Sequence, residues 1–174
     1  MQSKPLAQTR RDAKAFGKRW INQWRGSMEC SLFWIEFLED VHGVVNPRSK
    51  FEFNKQMKFR NPEREEKEPA IVSVYGNRFD LLVTQVPPST VDLYKAFWRK
   101  ASYYAIYLDL PRIPQHIIVS NYRTMYVYDT KKSLFKDVTV VQLDNLAEKI
   151  QEFDFIRKST VAHVPWSLLH YQNE

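Results

Sequence analysis

The stretch IVSVYGNRFDLLVTQVPP, residues 71–88, decides the fold. Residues 71–75 and 79–85 are two apolar runs rich in β-branched side chains, and Gly76-Asn77 between them is a hairpin signal. Pro87-Pro88 stops the second run, because proline cannot donate to a sheet ladder. Ser89 or Thr90 then caps a helix reaching about residue 108, with Leu93, Ala96, Phe97, Ala101, Tyr104 and Ile106 as its apolar face. Beyond Pro111 and Pro114, residues 115–120 are nearly continuously apolar, which is the pattern of a strand buried on both faces. Residues 124–128 follow at hairpin distance, linked by Asn121-Tyr122-Arg123. A hairpin, a helix and a further pair of strands give an α/β fold with a central mixed β-sheet flanked by helices.

Outward from this centre, residues 51–59 alternate apolar and polar, as a half-buried strand does. Residues 60–69 are charged and contain Pro62 and Pro69, and read as a loop. Before them, residues 9–24 carry Phe16, Trp20 and Trp24 at fourfold spacing, one stripe of a helix. A second helix starts at Ser27, and its apolar surface includes Cys30, Phe33, Trp34, Phe37, Leu38 and Val41. His42-Gly43 ends it, with glycine available for a left-handed cap, and Asn46-Pro47 marks a turn. Towards the C-terminus, residues 138–143 form a strand and 145–153 a short helix. Residues 1–157 make one α/β domain, and 158–174 read as an irregular tail, the start of a helical spacer.

Composition bounds the function. The chain has 174 residues, 44% hydrophobic and 14% aromatic, enough bulky apolar material for a core and too much for disorder. No apolar run approaches a membrane span, and the N-terminus lacks the apolar core of a secretory signal. The single cysteine, Cys30, cannot close an internal disulfide, so a cytoplasmic setting is expected. Walker-type loops, dinucleotide fingerprints, nucleophile elbows and metalloprotease His pairs do not occur. His42, His116, His163 and His170 are scattered without zinc-ligand spacing.

The net charge is +6, and it is concentrated. Arg10, Arg11, Lys14, Lys18, Arg19 and Arg25 crowd the first helix region, where Arg11, Lys14 and Lys18 share a face. Arg48, Lys50, Lys55, Lys58 and Arg60 form a second group. Such stripes suit a phosphate backbone, since each neutralised phosphate releases counterions. A solvated surface reads the same way from charge alone.

Several stretches together resemble a known family. Residues 25–34 (RGSMECSLFW) and 35–44 (IEFLEDVHGV) resemble the opening of MmeI-like restriction-modification enzymes, which place a Glu and a Phe-Trp pair on a second helix ending at Gly-Val. Residues 50–55, Ala101-Ser102-Tyr103-Tyr104, residues 117–122 and residues 125–129 fall where that family's pattern puts them. The resemblance spans about residues 18–156. It implies a restriction-endonuclease-like domain of the PD-(D/E)xK class, followed in such enzymes by a helical spacer, an adenine-N6 methyltransferase using S-adenosylmethionine, and a target-recognition domain.

The same resemblance implies an Asp on one strand and a Glu-x-Lys on the next, with the carboxylates holding Mg²⁺. Here Thr84 stands for the Glu and Val86 for the Lys, and residues 70–74 contain no acid. Val86-Pro87-Pro88-Ser89 also lacks the Asn and the aromatic ring of a methyltransferase tetrapeptide. The expectation is a nuclease fold without nuclease chemistry and without a bound cofactor. It contacts DNA backbone through Arg11, Lys14, Lys18, Arg19 and Arg25, then Lys55, Lys58 and Arg60, beside its own downstream methyltransferase domain. Two alternatives stand beside it. One is a Mg²⁺-dependent nuclease whose site has migrated to Asp80, Glu52 and Glu29. The other is a protein-interaction domain whose basic face meets an acidic partner.

Overall fold

The computed structural model describes residues 4–21, 28–60, 67–97, 113–132 and 138–161. Their elements are α1 (Leu6–Trp20), α2 (Met28–Glu36), β1 (Glu52–Arg60), β2 (Lys67–Gly76), β3 (Leu81–Gln85), α3 (Leu93–Phe97), β4 (His116–Ser120), β5 (Thr124–Asp129), β6 (Val138–Gln142), α4 (Leu146–Lys149) and α5 (Asp154–Val161). One six-stranded sheet runs in the order β1-β2-β3-β4-β5-β6. The first three strands form an antiparallel meander, β3 and β4 are parallel, and β5 and β6 return antiparallel. The one parallel pair is the one the sequence separates by a helix, as a parallel connection requires.

Each face of the sheet carries its own core. On one side Phe16 and Trp20 of α1, Phe33, Trp34 and Phe37 and Ile156 of α5 close over Val74, Val83, Ile118 and Val127. On the other, Leu93 and Phe97 of α3 cover Leu82, Ile117, Val119 and Tyr128. The first core is dominated by edge-to-face rings, with Phe16–Phe33 centroids 5.0 Å apart and Phe33–Trp34 5.1 Å. Fully burying such a ring is worth about 1.5–3 kcal/mol, and the edge-on geometry adds about 0.5–1.5 kcal/mol per pair.

Local chemistry moves several boundaries. α1 starts at Leu6, ahead of the expected residue 9, because the Pro5 carbonyl accepts both the Thr9 N–H and the Thr9 hydroxyl. α2 passes without a break into a π-helical turn, Phe37–Val41, and Gly43 follows at φ 70. The cap of α3 is Asp92, whose carboxylate accepts the Lys95 N–H at 2.8 Å, rather than Ser89 or Thr90. β1 runs to Arg60 and β2 begins at Lys67, so the charged stretch expected as a loop is strand at both ends. Helix α5 continues through Val161, where the sequence pattern gives no element. Residues 98–112, most of the long helix read after Pro88, lie outside the described residues. So do residues 162–174.

Two details fix the packing around the sheet. Gly17 meets the backbone carbonyl of Leu143, and a Cβ there would lie 2.5 Å from that oxygen. The simple alternation read over 51–59 also reverses midway. Phe51 and Phe53 pack into the first core, whereas Met57 belongs to the second. The reversal sits at Asn54, in the left-handed region at φ 51. On β2 it is matched by Val72 and Val74, which occupy opposite cores although two residues apart. An unbroken strand sends residues i and i+3 to opposite faces. Here Glu52 and Lys55 meet at 2.6 Å, and the Lys55 ammonium lies 4.5 Å from the Tyr75 ring centroid.

Candidate functional site

The middle of β2, the end of β3, helix α2 and the β4–β5 turn meet around one cavity. β2 and β3 pair from Gly76↔Leu81 to Val74↔Val83, and Ser73 and Thr84 follow where that register ends. Ser73 Oγ accepts the Gln85 N–H at 2.8 Å. The Thr84 hydroxyl is buried and has no hydrogen-bond partner among the described residues. Val86 is buried in the second core, with its N–H donated to the Ser120 carbonyl at 2.8 Å. Gln85 is turned to α2, where its Oε1 accepts the Trp34 indole N–H at 3.1 Å, while its Nε2 is buried without a partner. Above these residues lies a cavity of about 420 Å³ bounded by Cys30, Asn54, Ile71, Pro87 and Tyr122. Its mouth is shaped by two left-handed residues, Asn54 and Tyr122, and the Asn54 amide is fixed by donating to Ser31 Oγ at 2.9 Å.

This donor set does not fit Mg²⁺. The cation takes hard, preferably anionic oxygens in near-octahedral geometry. The side chains converging here are a hydroxyl already engaged, an inaccessible hydroxyl, an amide and an alkyl group. Among the described residues no carboxylate lines the cavity. Among the described residues no group of three or more His, Cys, Asp or Glu side chains is placed to share a metal ion.

The acids of the migrated-site alternative stand elsewhere. Asp80 occupies a left-handed position at the opposite end of β3. Four residue steps separate it from Thr84, about 13 Å at 3.3 Å per residue. Glu52 is exposed and paired with Lys55. The Glu29 backbone belongs to α2, and its side chain is not described.

The basic residues divide into free and engaged. Arg11, Lys14 and Lys18 are exposed along α1, with Arg11 donating to Gln8 Oε1 at 2.6 Å. Arg19 is held between Glu36 at 2.8 Å and Asp40 at 3.1 Å, tying α1 to α2 and its π-helical extension. The Trp20 indole reinforces that tie by donating to Glu36 at 2.7 Å. Lys58 is exposed on β1. Arg60 ends β1 with an undescribed side chain, and Arg25 lies outside the described residues.

His42 is buried and His116 half-buried, each packed against aromatic rings. Among the described residues neither ring nitrogen of His42 has a partner, and the ring packs on Phe37, 4.7 Å between centroids. Burial, aided by the charges of Lys4 and Arg157, lowers its pKa to about 3. His116 stacks parallel on Phe155 at 3.7 Å, and burial lowers its pKa against the pull of Asp129 and Asp80. Cys30 is buried in the first core. His163 and His170 lie outside the described residues.

Sequence reasoning missed Ser73, Gln85 and Asn54 as cavity residues, because nothing in a single chain signals a reversal of strand faces. It also missed Arg78, which the fold brings beside Arg48 and Lys50.

Among the described residues no helix is long and apolar enough to cross a membrane. No curated protein and no solved structure matches the chain significantly. The family model described as MmeI, N-terminal domain, matches residues 11–164, most of the chain and all of the sheet. The chain therefore belongs to the MmeI N-terminal domain family.

Proposed function

We propose that this chain is the N-terminal domain of a DNA restriction-modification protein, a restriction-endonuclease-like module that has lost nuclease chemistry and holds DNA by its backbone. One observation carries the reading. The two neighbouring strands that would present the Asp and the Glu-x-Lys carry Ser73 in β2, Thr84 in β3 and Val86 just past the end of β3. Exchanging two carboxylates and an ammonium for neutral groups removes the charge that binds metal and the group that orients water. The topology supports the fold assignment. An antiparallel meander crossing through a helical segment to a parallel strand makes β2 and β3 central neighbours, as the expected motif demands.

In this reading the working enzyme is an adenine-N6 methyltransferase in a downstream domain, and S-adenosylmethionine binds there. The present domain contributes non-specific affinity through Arg11, Lys14 and Lys18, which lie exposed on one face of α1. The test is duplex affinity measured over a salt series. Each phosphate contact contributes about 0.9 to the slope of log affinity against log salt. Replacing Arg11, Lys14 and Lys18 by Ala should therefore lower the slope by up to about 3. An unchanged slope removes α1 from the interface, and no retention of DNA at low salt overturns the reading.

A further inference from the structure

We infer that Arg48, Lys50 and Arg78 form a preorganised pocket for a phosphodiester group, a second DNA-backbone contact separate from α1; this rests on the DNA-binding reading above. The three cations come from two turns far apart in sequence, and together they line a cavity of about 360 Å³. Arg48 and Lys50 lie in and just after the 3₁₀ turn Pro47–Ser49, and Arg78 lies in the 3₁₀ turn Asn77–Phe79. All three are exposed. Among the described residues none of their side chains has a hydrogen bond or an ion pair.

The pocket is built rather than accidental. The first turn is closed by the Ser49 hydroxyl donating to the Asn46 carbonyl at 2.8 Å and by the Phe51 N–H donating to the Pro47 carbonyl at 2.8 Å. Phe51 then packs on Phe79 of the second turn, with ring centroids 4.3 Å apart and 30° between planes. That contact exists because residue 76 is glycine, since a Cβ there would lie 2.5 Å from the Phe51 ring. The two turns are thus joined by an aromatic contact, and the cations they carry are held near one another at a cost met by folding. Like charges gathered without partners are unfavourable until an anion arrives.

Among the described residues Glu52 is the one acid in the lining, and Lys55 neutralises it at 2.6 Å. The pocket therefore presents net positive charge. Two guanidinium forks and an ammonium suit a tetrahedral oxyanion with several acceptors. A repeating phosphate backbone also explains why the cations are exposed, because a rod has to reach them.

The experiment compares the full chain with R48A/R78A, with K131A/K132A and with K14A/K18A in binding a duplex of arbitrary sequence over a salt series. Lys131 and Lys132 are exposed at the end of β5, outside the pocket, and control for net charge alone. Loss of one phosphate contact should lower the salt slope by about 0.9, which is on the order of 8-fold in affinity at 0.1 M salt. R48A/R78A should show that loss and K131A/K132A should not. An R48A/R78A slope equal to wild type overturns the pocket, and so does an equal loss in both pairs. If the unmodified chain retains no DNA at low salt, the underlying reading fails first. If it binds and only K14A/K18A weakens it, the pocket alone fails.

Discussion

His42 should make the domain acid-sensitive well above the pH at which its carboxylates protonate. The ring is 2% exposed, and both nitrogens are orphaned between Phe37 and Phe153. Its pKa falls to about 3 in the folded chain, from the ordinary 6.5. A pKa depressed by folding means the native state excludes the proton, so stability is complete above pH 6.5 and declines as the pH falls towards 3. The two values give a loss of about 2 kcal/mol by pH 5 and about 3 by pH 4. His42→Leu conserves volume and removes both orphaned nitrogens. At pH 7.5 it should be neutral or stabilising, because an unpartnered buried polar group costs about 1–3 kcal/mol. Its advantage over wild type should then widen by about 2 kcal/mol between pH 7.5 and pH 5. Urea unfolding followed through the buried Trp20 and Trp34 reads both quantities. A gap that stays constant over that range would show that His42 is not the proton-linked group.

Two further substitutions test the packing account. Thr84→Val removes a buried hydroxyl with no partner while keeping the shape, so it should raise stability by about 1 kcal/mol or more in the same denaturation assay; destabilisation would mean the hydroxyl has a partner. Gly17→Ala should gain up to about 1 kcal/mol of helix propensity. It should nevertheless lose stability overall by about 1–3 kcal/mol, since the new Cβ meets the rigid Leu143 carbonyl. A higher melting temperature for Gly17→Ala would contradict that close approach.

The centre of the fold was legible because its signals are local. Alternating β-branched residues, a Gly-Asn step and a Pro-Pro stop mark β2 and β3, and an unbroken apolar run marks β4. Strand extensions into 60 and 67–69 were not legible, because charged residues there satisfy a sheet ladder with backbone groups alone. The helix cap fell to Asp92 because Ser89 and Thr90 are spent in the turn after Pro87, where the Thr90 N–H bonds back to the Pro87 carbonyl. The reversal at Asn54 was invisible because asparagine in a strand carries no mark of φ.

The candidate site was legible only in what it lacks. Thr84 and Val86 declare by identity that they cannot hold a metal, and that needs no coordinates. How the neighbouring side chains are partnered does need coordinates. The Trp34–Gln85 hydrogen bond joins residues 51 apart, and Arg48 and Arg78 become neighbours through Phe51, Phe79 and Gly76. Charge counting gathered residues near in sequence. It therefore included Arg19, whose guanidinium is committed to Glu36 and Asp40, and it passed over Arg78.

The central claim is a nuclease frame that binds DNA without cutting it. The most direct measurement is conversion of supercoiled plasmid to nicked or linear form by the full chain, in Mg²⁺ and then in Mn²⁺, under low-salt conditions where the same protein retains DNA. Retention with no conversion in either metal is the expected result. Divalent-dependent conversion that disappears in Asp80→Ala or Glu52→Ala would contradict it.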